Sequence, residues 1–385
     1  MDRTAENLQS AQPRKTPRRA PKLREASFKD HEQITLLESR YGLAAIKSCE
    51  EWSHLWLGNP LYRELQPGWS IGWVLEDENN RIVGSMGNIP LLYEFEGRRV
   101  LAASGRSWVA EPEYRSASLL LLDHVINQCH VDLYLNNTVD VASTAAVSAF
   151  QCTRVPVGVW NKAAFWITHY QGFVESFLAR KNYPLTKPLS YPLSAAVSLK
   201  ERLTKMALGA SDVEVKGCPA FDERFDDFWM DLKRCNPHLL WAVRTREVLE
   251  WHYKYALLHG RLWIVGAVDG HRMVAYAIFD RRDNEFGLKR VRLVDFQSLD
   301  GSTALLSPLL SWALRKCRDE GIHMLESVGR WLEKGELLEI IAPYERRLPN
   351  WRYFYRANDP GLAESLRDQR AWAPSLFDGD ASLMR

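Results

Sequence analysis

Two hydrophobic periods take turns along the chain. Leu23–Phe28 reads as a short strand. Asp30, with Gln33 three residues on, reads as an N-cap, and Ile34, Leu36, Leu37 and Tyr41 follow at helical spacing until Gly42. A second helical stretch, Trp52–Leu57, stops at Asn59-Pro60. Ile71–Glu76 and Ile82–Gly87 around Asn79-Asn80 predict a hairpin, and Glu94–Gly97 predicts a turn before a strand over Val100–Ala110. Beyond Pro112 the period is helical over Ser118–Gln128. A short buried strand, Val131–Leu135, a helix, Ser143–Phe150, and strand-like segments to Trp166 complete this half.

The order then returns. Glu214–Gly217 predicts a strand, Asp222–Cys235 and Thr245–Tyr255 helices, and Leu262–Val268 with Met273–Phe279 a hairpin turning at Asp269-Gly270. A long strand, Lys289–Gln297, precedes a helix, Ser302–Arg318, and a strand, Ile322–Glu326. Val83 matches Val274 and Val131 matches Ile322, both at an offset of 191 residues, which indicates duplication. The fold expected is α/β of the mixed-sheet kind: two tandem domains, each a mostly antiparallel central sheet flanked by helices. Residues 23–183 and 213–385 form the halves. Pro184, Pro188 and Pro192, with the amphipathic stretch Ala195–Leu208, mark 184–212 as linker and bridging helix. Trp372 to Asp380 is too aromatic for a solvated tail and is expected to dock on one domain. Asp378 and Asp380 read as a turn, since no third metal ligand is near.

Charge changes the picture at one end only. The 385 residues hold 50 Lys+Arg and 48 Asp+Glu, a net of +2, which gives no global field for nucleic acid. Residues 1–22, a proline-broken stretch expected to be disordered, begin a basic segment to Arg24 that carries seven cations against two anions. It suits at most weak contact with an anionic surface. No signal-peptide core or run of 18 apolar residues occurs, so no transmembrane segment is expected. The six cysteines are scattered and none forms a C-x-x-C pair, which fits the reducing cytoplasm without a structural zinc site. Fifteen tryptophans fall seven and eight on either side of residue 184 and imply two aromatic cores.

Phosphate-loop, nucleophile-elbow and H-E-x-x-H signatures are absent from the sequence, so serine and zinc hydrolase chemistry lack their marks. His252 and His259 read as structural histidines. What remains is a strand running through Trp108, Val109 and Ala110 into the turn Glu111-Pro112-Glu113-Tyr114-Arg115-Ser116-Ala117-Ser118 and a Leu-rich helix. Such a turn offers backbone N–H groups and a helix dipole to an anion, with Arg115, Ser116 and Ser118 as side-chain donors.

Here the sequence resembles the GNAT superfamily of acyl-CoA N-acyltransferases, on Trp108–Arg115 and on the order of elements in both halves. A tandem-GNAT protein, distantly similar to FemAB-like aminoacyl transferases, is implied. The resemblance implies acetyl-CoA or another acyl-CoA as cosubstrate and a small-molecule or peptide amine as acceptor. It further implies no metal, and suggests a role in polysaccharide or envelope biosynthesis. It places Trp108, Val109, Ala110, Arg115, Ser116, Ala117 and Ser118 at the cofactor. Tyr344 falls at the family's thiolate-protonating tyrosine in the second copy, whereas Phe150 takes that position in the first. Glu326 and Asp295 are the candidate bases. The glycines of the CoA loop are replaced by Ser118 and Leu120, and in the second copy Asp300 would repel a phosphate. Three readings follow: a CoA-dependent N-acyltransferase by direct attack, a FemAB-like transferase acting on an envelope precursor, and a non-catalytic module that binds acyl-CoA or a partner.

Overall fold

The structure, a computed structural model, describes residues 20–158, 160–183, 213–329, 342–348 and 351–383. The basic amino-terminal segment up to residue 19 and the expected linker, 184–212, lie outside the described residues. The first half supplies strands β1 (Lys22–Glu25), β2 (Gly72–Glu76), β3 (Ile82–Phe95), β4 (Arg98–Ala110), β5 (Leu133–Val139), β6 (Thr153–Arg154) and β7 (Lys162–Ile167). The second supplies β8 (Glu214–Cys218), β9 (Trp241–Ala242), β10 (Leu262–Asp269), β11 (Arg272–Arg281), β12 (Arg290–Ser298), β13 (Met324–Val328), β14 (Tyr344–Arg347) and β15 (Arg352–Ala357). The helices used below are α1 (His31–Arg40), α2 (Cys49–Leu57), α3 (Pro60–Leu65), α4 (Leu119–Ile126), α5 (Thr144–Ala149), α6 (Tyr170–Arg180), α7 (Glu223–Cys235), α8 (Arg246–Leu258) and α9 (Leu306–Asp319).

Two mixed sheets result. One runs β1-β2-β3-β4-β5-β15-β6 with β9 beside β3, and the other runs β14-β7-β13-β12-β11-β10-β8. Each has one parallel pair, β4 with β5 and β12 with β13; the other pairs are antiparallel. The offset of 191 recurs in the structure, since β5 begins at Leu133 and β13 at Met324. Each sheet also takes strands from the other half, β7 in the second and β9 with β15 in the first. β7 pairs with β13 from Met324↔Ile167 to Val328↔Ala163, and β15 lies between β5 and β6. A period-two pattern specifies which face of a strand is buried and leaves its partner open, so this exchange had no signal in the sequence.

Packing follows the pattern. Trp52, Trp56, Trp69 and Ile71 form a core under the first sheet, and α9 covers the second with Leu306, Leu309, Leu310 and Ala313. Asp222 and Thr245 cap α7 and α8 by accepting the N–H of Arg224 and Val248. Asp30 departs from the expected cap. Its carboxylate accepts the Ser27 N–H at 2.8 Å and pairs with the Arg24 guanidinium, so it closes the turn before α1 instead of the helix itself.

The carboxyl-terminal segment docks as expected, but on both halves together. Residues 371–383 are buried throughout. Asp378 pairs with Arg244 at 3.1 Å, its carbonyl accepts from Asn137, Asp380 accepts from Thr138 at 3.1 Å, and Ser382 meets His252 Nε2 at 2.6 Å. Gly379 makes the turn at φ +92°. A Cβ there would lie 2.9 Å from the Asn137 amide carbon, so glycine is needed for both conformation and approach.

Candidate functional site

In the first sheet β4 and β5 run parallel as far as Ser104↔Leu135 and then part. β4 continues beside β3 to Ala110, but past Ser104 its other edge has no strand partner among the described residues. At the parting β4 carries a bulge. Ser107 and Trp108 together oppose Met86, and Ser107 takes φ +52°. Gly105 lies just before it, where a Cβ would meet Met86 Cε at 2.5 Å and the Tyr134 hydroxyl at 3.0 Å. The Asn136 amide donates to Gly105 O at 3.3 Å and spans the start of the opening.

Arg106 lies immediately before that bulge, as the register partner of Gly87. It is 2 % exposed, and none of its three guanidinium nitrogens hydrogen-bonds another described residue. It lines a small cavity with Glu38, Trp52, Trp56 and Trp73. A buried guanidinium without hydrogen bonds is costly, so this position is unexplained by stability alone. The docked tail brings Asp380, 1 % exposed, into the same electrostatic environment. Burial pushes its carboxyl up from 3.8 to about 6, while the charge of Arg106 and the Thr138 hydroxyl offset part of that penalty. Sequence reasoning missed both residues. The signals were an arginine within the small-residue run Ala102–Ser107, and two aspartates in an aromatic tail.

The expected cofactor segment lies along the same opening. Trp108, Val109 and Ala110 end β4, and Arg115, Ser116, Ala117 and Ser118 lead into α4. Glu111 anchors the turn through Arg81 at 2.6 Å and Arg40 at 2.9 Å. Two donors serve the turn itself: the Trp108 indole donates to Ser118 O at 3.0 Å, and the Ser118 hydroxyl to Arg115 O at 2.7 Å. Arg115 and Ser116 are exposed, as are the side chains of Leu119 and Leu120. The leucine at the family's glycine position thus faces solvent.

The residues expected to be catalytic lie in the second sheet and do not converge. Asp295, fully buried on β12, takes Arg244 Nε at 2.9 Å, the Tyr276 hydroxyl at 2.9 Å and the Gln297 amide at 2.9 Å. Burial works against its charge, but Arg244, with Ser375 and Gln297, holds it below the usual range. Glu326, also fully buried, binds Arg292 at 2.6 Å, Arg346 at 2.5 Å and Arg290 at 3.4 Å. Against the burial penalty those three cations hold it at about 2, so it is a poor proton acceptor. Tyr344 begins the edge strand β14, with its ring stacked on Phe165 at 5.2 Å. Phe165 is the register partner of both Tyr344 and Glu326, which sets those two roughly 10 Å apart across two strand spacings.

The second opening differs in chemistry. β12 and β13 part after Leu293↔Ser327, with Val294 as the extra residue of a bulge against β11. In the loop behind it Asp300 accepts the Ser302 N–H at 2.9 Å and the Ser302 hydroxyl at 2.8 Å. Its carboxylate therefore occupies a backbone donor of that loop. Among the described residues no group of three His, Cys, Asp or Glu side chains is arranged to hold a metal, and no helix is long and apolar enough to cross a membrane.

No protein-family model and no curated protein matches the sequence at a significant level. Solved structures do match over most of the chain. A GCN5-related N-acetyltransferase from Kribbella flavida aligns at a TM-score of 0.54 and 13% identity, over 88% of this chain and 71% of that one. A Saccharomyces cerevisiae N-myristoyltransferase with bound myristoyl-CoA and inhibitors aligns at 0.54 and 11% identity, over 88% and 81%. A probable N-acyltransferase of Enterococcus faecalis aligns at 0.52 and 12% identity, over 88% and 72%. These matches share the overall fold, and the chain is a GNAT-fold protein.

Proposed function

We propose that the chain is an acyl-CoA-dependent N-acyltransferase whose reaction takes place at the opening between β4 and β5. The observation that carries this reading is the convergence there of an unpartnered strand edge, the buried Arg106 and the basic carboxylate Asp380. On this reading the free edge of Trp108, Val109 and Ala110 holds the pantetheine arm, and Arg115, Ser116, Ala117 and Ser118 face the phosphates. Only Arg115 and Ser116 have exposed side chains to offer, so the backbone and the helix end carry much of the anion binding. The thioester supplies the activated acyl carbon. Asp380 accepts the proton of the attacking amine as the C–N bond forms and the C–S bond breaks. Arg106 stabilises the negative charge that develops on the carbonyl oxygen. With Phe150 lacking a hydroxyl, the leaving thiolate takes its proton from water, which a group of pKa ~8.5 tolerates. The bound myristoyl-CoA of the yeast neighbours is consistent with an acyl-CoA donor in this architecture.

Calorimetric titration of acetyl-CoA tests the reading. Saturable binding is expected, and Arg115→Ala should weaken it about tenfold, the worth of one charge-assisted contact of ~1.4 kcal/mol. No heat with acetyl-CoA or with longer acyl-CoAs would leave the FemAB-like reading or a non-catalytic partner-binding module in its place.

A further inference from the structure

A cleft of about 940 Å³ is lined from both halves, where the end of β12 and its loop face residues 364–373 and the turn between β3 and β4. That is the volume of a site for a drug-sized ligand. Its deep wall is aromatic, with Phe95, Trp241, Phe296 and Trp372. Its rim is acidic, carrying Glu96, Asp300, Glu364 and Asp368 against a single arginine, Arg370. Arg370 is already tied to Asp368, with Nε and Nη2 at 3.0 and 2.7 Å from the same oxygen, and Glu364 pairs with Arg367, so Glu96 and Asp300 are the rim carboxylates without a cationic partner among the described residues. A further acceptor points the same way. Gln297 is 4 % exposed, donates its amide N–H to Asp295 at 2.9 Å, and receives no hydrogen bond at its carbonyl oxygen from any described residue. The cleft therefore offers acceptors and π-faces in a volume suited to a ligand, and Asp300 already holds a backbone donor of its loop.

We propose that this cleft binds an organic polycation, a molecule with two or more ammonium groups joined by short carbon chains. The ammonium groups donate to the rim carboxylates and to Gln297, and the chain lies over the tryptophans, where cation–π attraction adds to apolar contact. This site stands apart from the β4–β5 opening, and its proposal does not depend on acyl transfer there.

Spermidine titrated calorimetrically into the full chain tests it. Saturable binding is expected, weakening severalfold as salt rises from about 50 to 300 mM, because rim charges are screened over roughly a Debye length. Glu96→Gln with Asp300→Asn should weaken binding about tenfold, from the loss of two exposed charge pairs. The amide introduced by Asp300→Asn retains an oxygen for the Ser302 N–H, so an unchanged Tm is expected. The exposed Glu78→Gln should leave affinity as it was. The salt series on the wild-type chain needs no variant. Absence of saturable heat at low salt overturns the proposal, and so does equal affinity in the double variant and the wild type.

Discussion

Asp380→Asn is expected to lower the rate of acyl transfer by about 10²–10⁴-fold, the usual range for loss of a positioned general base. The substitution keeps the size of the side chain and an oxygen for the Thr138 hydroxyl, so the tail should stay docked and Tm should change little. It removes only the capacity to take a proton. In the wild type the rate should rise with pH through about 6, where Asp380 loses its proton, and level off above. The variant should lack that limb. A stopped-time assay of thiol release across pH 5–8 reads both, and an Asp380→Asn rate within a factor of three of wild type would remove Asp380 from the chemistry.

Arg244→Met is expected to give the largest loss of stability. Arg244 is buried between Asp295 and Asp378 and also donates to Ala242 O and Ser375. Without it two carboxylates remain buried and unpaired, at a cost of about 3–5 kcal/mol near neutral pH. The pH dependence has a definite sign. Burial already raises the Asp378 carboxyl from 3.8 to about 6, so the folded state binds more protons than the unfolded one between those values. That group's contribution to stability is therefore greatest below pH 4 and falls as pH rises through 6. Removing the guanidinium pushes both carboxyls further up and steepens that fall. Urea denaturation at pH 5.5 and pH 8 should show a gap between variant and wild type that widens at the higher pH, and a gap independent of pH would count against this account of the cluster.

Much of the architecture was legible because it is local. The Asn79-Asn80 and Asp269-Gly270 turns and the helix after Ser118 rest on residues within a few positions of one another, and the constant offset of 191 carried the repeat. The candidate site was legible only along one strand and its turn, from Trp108 to Ser118. Asp380 meets Thr138 across 242 positions and Arg244 meets Asp378 across 134, distances at which neither spacing nor period carries information. Glu326 shows the converse. A carboxylate at the end of a buried strand invites a catalytic reading, and the arginines that disarm it come from two other strands.

Backbone hydrogen exchange with and without acetyl-CoA decides whether the cosubstrate binds at the β4–β5 opening. Ligand is expected to slow exchange over Arg106–Leu120 and Asn136–Val141, on either side of the first opening, and to leave 299–305 as it was. Protection confined to 299–305, or none at either opening under saturating acetyl-CoA, would contradict binding there.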